Sequence, residues 1–376
     1  MRSSYIRLAV EIGSIFEAGG AWRQQPYWRG LDEVMALSKR YRLPVVGVLY
    51  VTPSQLSTCP TAAEPGKCPP TDPKRYAGLV GAIAAHARGV IRHWEVLNEP
   101  DGSWAFQGSP AQYAWMLRRS YDRIKAVAPE DRVLIGGVMS PGSRGWLDRV
   151  FDTAGADARR RFDVANVHLR GTVDSLAWGV RTFRDFFSRY GFRGPLWVTE
   201  HGYPGETRYQ RDVDYRGGEA AQARYLRQSL PTLVRGGASQ VFVTVRDSTR
   251  AEFGDSEFAS EGLLHVGEAP SYPVRRKRAF ELVRWLGGLW PKLPATRRDL
   301  EAWRKRLGVN RARARRYKRL AKRERRLVRR YLSRGRPRLA AMHRRRFRRY
   351  TARARRYAAA VRRLRALIAG YSEGPS

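Results

Sequence analysis

Short apolar, β-branched runs alternate with longer amphipathic stretches from the N-terminus to about residue 290. The runs at 4–10, 44–51, 91–97, 132–138, 163–168, 195–199 and 240–245 read as strands. Several are almost continuously hydrophobic, the pattern of strands buried on both faces. Between them, the stretches 27–41, 73–88, 110–126, 178–190 and 219–235 place apolar residues at helical spacing. Strand–helix alternation of this kind predicts a parallel sheet with helices packed outside it, an α/β protein.

Seven strands are one short of a closed (β/α)8 TIM-type barrel. The first of them already carries an arginine, Arg7, and an acidic residue, Glu11, and no strand–helix unit precedes it. The expectation is a chain that enters the barrel at its second strand, the first unit missing through a late start codon or a truncation. A genuine seven-stranded or open variant is the alternative.

After Pro294 the pattern changes, and residues 1–294 and 295–376 read as separate domains. Two helices are predicted at 300–333 and 338–369, broken at Gly335-Arg336-Pro337. The second spaces Phe347, Tyr350, Ala354, Tyr357, Val361, Leu364 and Ile368 by alternating threes and fours, a heptad seam. The first carries a less regular stripe of Tyr317, Leu320, Leu327, Val328 and Tyr331 interrupted by arginine. An antiparallel α-helical hairpin with a basic outer face follows.

Charge sharpens that division. The formal net charge is +38. Residues 297–376 hold 31 Lys and Arg against four acids, whereas the rest of the chain holds 41 against 30. The basic character is a property of the tail and says little about the barrel. Such a tail is expected to seek polyanions: an anionic cell-envelope polymer, lipid or nucleic acid. It matches no sequence-reading nucleic-acid motif, so envelope tethering is the more coherent expectation than DNA binding.

No apolar run is long enough to span a bilayer, and the segment from Met1 to Arg7 lacks a signal-peptide apolar region. Cys59 and Cys68 stand nine positions apart in a Pro-rich loop, and either a loop-clamping disulfide or two free thiols fits that spacing. With no histidine near them, a zinc site is not expected, and no metal or cofactor is called for.

Two constellations carry chemistry. One is His93-Trp94-Glu95-Val96-Leu97-Asn98-Glu99-Pro100, and the other is Leu196-Trp197-Val198-Thr199-Glu200-His201-Gly202-Tyr203-Pro204. Each puts a carboxylate where a buried strand gives way to a loop, the rim on which barrel enzymes carry their catalytic side chains. Cleaving a glycosidic bond needs two carboxyl groups flanking the anomeric carbon, one protonated and one ionised.

At these residues the chain resembles the clan A glycoside hydrolases, retaining barrel enzymes of the cellulase and xylosidase type. Trp94 to Pro100 is similar to the acid/base motif of that group, and Trp197 to Gly202 to its nucleophile motif. Ile6-Arg7-Leu8, Val51-Thr52-Pro53, Val167-His168, Arg246-Asp247 and Ser260-Glu261-Gly262-Leu263-Leu264 match in order, over roughly residues 5–265. The resemblance implies a retaining hydrolase of β-linked oligo- or polysaccharide, secreted or associated with the cell envelope. Glu99 would be acid/base, kept protonated most simply by lying close to Glu200 until it protonates the leaving oxygen. Glu200 would be the nucleophile. Asn98 would contact the sugar 2-hydroxyl, and Arg7 would hold Glu200 ionised, unless it pairs with Glu11 or another acid. His168 would line the sugar subsite or support the carboxylates, or else be a core histidine. Glu95 is expected to be a buried, paired carboxylate.

Trp104 and Phe106, just after Glu99, are candidates for stacking on a sugar face or for plugging the barrel. Tyr203 and His201 are candidates for substrate contact or loop packing. The chain departs from the family where Arg170 replaces a tyrosine expected two residues after His168. It departs again where the last strand lacks a tryptophan platform, a place Tyr203 or Trp146 would have to fill. A different class of reading is a non-catalytic carbohydrate-binding or polyanion-binding protein on a decayed barrel.

Overall fold

In the computed structural model, which describes residues 5–248, 254, 256–266, 274–289 and 297–370, the chain forms two compact units, Met1–Trp290 and Pro291–Ser376. The first is a barrel of parallel strands wrapped by helices. Its strands are β1 (Ile6–Glu11), β2 (Val45–Tyr50), β3 (His93–Asn98), β4 (Arg132–Gly137), β5 (Ala165–His168), β6 (Leu196–His201) and β7 (Gln240–Val243). They pair in chain order, β1 to β4 in one sheet and β5 to β7 in another. The bridges Leu134↔Val164 and Val138↔Val167 join the two sheets, so the seven strands form one parallel wall.

The intervening helices are α1 (Arg29–Tyr41), α2 (Pro73–His86), α3 (Pro110–Val127), α4 (Arg144–Phe151), α5 (Val173–Arg189) and α6 (Gly218–Gly236). Helix α3 starts where the sequence supplies a full set of signals: Pro110 in the first turn, and Ser109 with Gln112 in a reciprocal capping box. Asp72 caps α2 by accepting from the backbone N–H of Lys74 and Arg75. After β7 come a short antiparallel hairpin, β8 (Leu264–Val266) with β9 (Val274–Arg276), and α7 (Arg278–Leu289).

The barrel interior is built by Val46, Leu134, Val164 and Trp197, with Tyr5 and Phe242 packed against them. Trp94 is fully buried opposite its register partner Gly47, where an added Cβ would lie 2.8 Å from the indole. Glycine is required there because the ring fills the side-chain space. Among the described residues, β1 and β7 are the edge strands. Their exposure shows it: β2 is buried along Val45–Leu49, whereas Ala9 on β1 is exposed and every residue of β7 is half-buried. Tyr5 reaches between them, 6.3 Å from Phe242 and 5.2 Å from Trp197.

Cys59 and Cys68 form a disulfide in the loop between β2 and α2, which resolves the two sequence alternatives.

The second unit is two long helices, α8 (Arg297–Ser333) and α9 (Pro337–Gly370). They run antiparallel: Tyr317 stacks on Tyr357 at 5.7 Å, and Tyr331 stacks on His343 at 5.2 Å. The seam residues Phe347, Tyr350, Ala354, Tyr357 and Val361 are half-buried while neighbouring arginines are exposed. The side chains of Leu364 and Ile368 lie outside the described residues. Between the helices, Glu324 and His343 make a buried contact of 2.6 Å that the apolar pattern had not signalled. No helix is long and apolar enough to cross a membrane among the described residues.

Candidate active site

Strand β3 does not keep a simple two-residue alternation to its end. Leu97 (φ +65°) and Glu99 (φ +42°) adopt left-handed backbone, which costs a non-glycine residue about 1–2 kcal/mol each. Strain of this kind survives only where the surroundings fix it, and it clusters at functional sites. Its consequence is that Glu95 and Asn98 both reach Arg7, while Glu99 turns towards β5.

Arg7 is the hub. Its Nε donates to Glu95 Oε2 at 2.7 Å and its Nη2 to Glu95 Oε1 at 2.9 Å. The same Nη2 donates to Asn98 Oδ1 at 2.6 Å, and Nη1 donates to Glu200 Oε1 at 2.9 Å. Burial works against the Arg7 charge, but Glu95 and Glu200 outweigh it and hold the guanidinium protonated more firmly than usual. Glu95 is fully buried, as expected of a paired barrel carboxylate, and also accepts from Gly137 N. Three groups on two other strands are thereby fixed by one planar donor fork.

His168, at the end of β5, is buried and its Nδ1 lies 2.8 Å from Glu99 Oε1. The same nitrogen is 3.7 Å from Glu200 Oε2, so the imidazole sits between the two carboxylates. Gly137 leaves room for it, since a Cβ there would collide with His168 Nε2. Burial opposes ionisation of Glu200, yet the positive field of His168, Arg7 and Arg170 prevails, and its pKa is lowered to about 2. One ligand atom each of Glu99, His168 and Glu200 lies within 4.8 Å of the others. A cation could use that spacing, but Arg7 and Arg170 already occupy the Glu200 oxygens.

Trp104 Nε1 donates to Glu99 Oε2 at 3.0 Å from a side chain 55% exposed, which leaves indole surface open beside the carboxyl. Phe106 is buried against Tyr113, the plug alternative. Tyr203 does not join the cluster. It is buried, stacked on Tyr225 at 4.1 Å, and its hydroxyl donates to Tyr215 O. The loop after β6 folds inward onto α6, so the expected substrate contact becomes packing. His201 is likewise buried, between Leu169 O and Ser229 Oγ, and burial lowers its pKa to about 4.

Two charged groups complete the surroundings of Glu200. Arg170 Nη2 reaches Glu200 Oε2 at 3.4 Å. Its Nε and Nη2 also donate to Glu261 at 3.1 and 3.0 Å. Position 170 stood out in the sequence only as a departure from the family, and Glu261 only as a downstream match. Their pairing bridges 91 positions, which no local pattern reveals.

Residues 79–238 match the family model described as the glycosyl hydrolase catalytic core. No curated protein sequence matches the chain. Among solved structures it is similar to a family 39 glycoside hydrolase from the gut symbiont Bacteroides cellulosilyticus WH2, at 18% identity and a TM-score of 0.51 over 70% of this chain and 54% of that one. A glucosidase from Croceicoccus marinus is similar at 17% identity and a TM-score of 0.53, over 70% and 56%. An exo-β-1,4-mannosidase from Opitutaceae bacterium strain TAV5 is similar at 19% identity and a TM-score of 0.52, over 74% and 51%. The chain spans about half the length of these neighbours. At such identity they share its fold, the (β/α)8 barrel.

Proposed function

We propose that this chain, a clan A glycoside hydrolase barrel in fold and in its catalytic-core sequence, is a retaining glycoside hydrolase acting on a β-linked oligo- or polysaccharide. The observation that carries the reading is the approach of Glu99 and Glu200 oxygens to within 4.8 Å. Retaining enzymes hold their carboxyl groups about 5–5.5 Å apart, whereas inverting ones leave room for a water at roughly 6.5–9.5 Å.

The carboxylates then divide the work. Glu200, ionised and held through Oε1 by Arg7, presents Oε2 to the anomeric carbon. As the bond from Oε2 to the sugar forms, the glycosidic C–O bond breaks and Glu99 gives its proton to the departing oxygen. The products are an alcohol and a glycosyl ester on Glu200. Glu99, now a carboxylate, takes a proton from water as that water attacks the anomeric carbon. The ester C–O bond breaks, Glu200 leaves as a carboxylate, and Glu99 is again an acid. Two inversions restore the configuration. His168 orients Glu99 through Nδ1, Asn98 presents its amide to the sugar, and Trp104 offers an aromatic face at the leaving-group side.

A panel of activated 2-deoxy-2-fluoro glycosides with peptide mass spectrometry tests this. The expected result is a stoichiometric adduct on Glu200 with at least one sugar. A folded protein that binds oligosaccharide but forms no adduct and turns over no aryl glycoside supports the non-catalytic reading instead.

The hairpin has a separate role: it tethers the protein to an anionic polymer of the cell envelope. Its exposed arginines, among them Arg323, Arg326 and Arg330, flank a seam that already satisfies its apolar residues. Salt-sensitive retention on an anionic polysaccharide matrix, lost on deletion of residues 297–376, is the expected result. Preference for anionic vesicles or duplex DNA redirects the assignment, and retention unchanged by the deletion removes it.

A further inference from the structure

We propose that Arg170 and Glu261 form one positioning unit for the nucleophile, in which Glu261 holds Arg170 back so that it orients Glu200 Oε2 without closing on it. This deepens the hydrolase reading and rests on Glu200 being the attacking group.

The distances carry the argument. Arg170 lies 3.0 and 3.1 Å from the two Glu261 oxygens but 3.4 Å from Glu200 Oε2. Arg7, by contrast, grips Glu200 Oε1 at 2.9 Å. One oxygen of the nucleophile is therefore anchored and the other loosely steered. An oxygen that must form a bond to carbon cannot also be locked by a short charge-assisted hydrogen bond without losing reactivity. Arg170 would otherwise supply such a bond: the Phe258 ring, 5.0 Å from the guanidinium carbon, supports its stem, but Glu261 is the charged group that draws its donors away.

Glu261 is placed rigidly enough to act as a restraint. Its residue is only 4% exposed. Gln222 Nε2 donates to the carbonyls of Tyr203, Glu261 and Gly262 at 2.9, 3.0 and 3.2 Å, which fixes the segment. Gly202, two residues beyond the nucleophile, clears the way: a Cβ there would sit 2.5 Å from Glu261 Oε2. The loop after β7 is locked against the loop after β6 by Gly205 N donating to Ser260 O at 2.8 Å and Glu206 N to Ser260 Oγ at 3.3 Å, with the Glu261 carboxylate seated over Gly202. Burial pushes the Glu261 carboxyl up, and the contact with Arg170 pulls against it. The pair places a directed donor beside Glu200 at little net charge.

The groups facing Glu200 are Arg7 on β1, His168 and Arg170 at and beyond the end of β5, Glu99 through His168, and Glu261 through Arg170. Removing either member of the pair has a distinct signature. In Arg170→Met, Glu200 loses a cation and its ionisation midpoint rises by about one unit or more. In Glu261→Gln, Arg170 is released towards Glu200, so the midpoint does not rise, while kcat falls about tenfold with KM within twofold of native.

The test uses the full chain labelled with 13C at glutamate carboxyl carbons, following Glu200 by NMR titration, together with kcat and KM on the dinitrophenyl glycoside that the native protein cleaves best. Arg170→Gln, which also removes the charge but keeps a polar side chain, is the second variant if Arg170→Met does not fold. A raised midpoint in Arg170→Met or Arg170→Gln, with none in Glu261→Gln, establishes the unit. A Glu200 midpoint unmoved in the folded Arg170 variant, or native kcat in Glu261→Gln, overturns it. Because the titration needs no turnover, a native protein that cleaves no glycoside defeats the hydrolase reading and leaves this result legible.

Discussion

Arg7 Nη1 donates to Glu200 Oε1 across 2.9 Å although 193 positions separate the two residues. The bond joins β1, one edge strand of the barrel, to β6, the strand beside the opposite edge, and the same guanidinium holds Glu95 and Asn98. The geometry of the candidate site and the cohesion of the barrel therefore share one side chain.

Replacing Arg7 with methionine keeps the length and apolar stem but leaves Glu95 buried without a counter-ion. Stranding one partner of a buried pair costs about 3–5 kcal/mol. The expected outcome is a matching loss of unfolding free energy in urea at neutral pH, with kcat down at least 100-fold. A variant within about 1 kcal/mol of native stability contradicts the role given to Arg7, since that is the range of a surface ion pair.

The lowered pKa of Glu200 makes a pH prediction for stability. Folding depresses it from 4.5 to about 2, so its contribution is complete above the unfolded value and is lost as pH falls through the folded one. Compared with Glu200→Gln, the native protein is expected to hold its extra stability above about pH 4.5 and lose it progressively towards pH 2. Parallel chemical denaturation series at pH 7, 4.5, 3 and 2 measure the difference. A difference constant over that range shows that the Glu200 charge is not what Arg7, His168 and Arg170 stabilise.

The strand–helix alternation and the gathering of Glu99, Glu200, Asn98 and Arg7 are legible in the sequence because each lies in a short motif on a strand, the first three at its end, where local pattern and tertiary position coincide. The location of Tyr203 is not legible in the same way. Whether a residue three beyond Glu200 faces outward or into the protein depends on its stacking with Tyr225, a residue of α6. Arg170 and Glu261 fail for a similar reason, since their bond joins two loops. Trp104 is placed near Glu99 by proximity alone, but its hydrogen bond depends on the left-handed turn at Glu99. In the hairpin, the apolar stripe predicts the seam but hides Glu324 and His343, a polar pair occupying core positions.

The Cys59–Cys68 disulfide closes a loop that touches the acid/base side of the site, for Gln107 N donates to Lys67 O at 2.8 Å. Chain-entropy reasoning gives a loop of about ten residues roughly 2–3 kcal/mol of stabilisation. Reduction, or the Cys59→Ser/Cys68→Ser pair, is expected to lower Tm by several degrees in calorimetry. Two thiols titrating freely in the unreduced native protein would dispose of the bond.

Trp104 separates two contributions to the proposed acid/base step. Phe at this position keeps an aromatic face and loses the N–H that meets Glu99 Oε2. A hydrogen bond to a charged group is worth about 1.5–3 kcal/mol, so misorientation of Glu99 should cost roughly 10- to 100-fold where protonation of the leaving oxygen matters. It should cost much less with a dinitrophenyl leaving group, which departs without an acid. Ala removes the ring as well, and KM for an oligosaccharide should rise severalfold beyond the Phe variant if the exposed indole face stacks on sugar. Steady-state kinetics of Trp104→Phe and Trp104→Ala on one good and one poor leaving group give both answers. Equal losses on the two substrates in the Phe variant would mean that Trp104 acts on the shape of the site and leaves proton transfer untouched. A KM unchanged in the Ala variant would assign the exposed ring to solvent, with its hydrogen bond to Glu99 as its whole contribution.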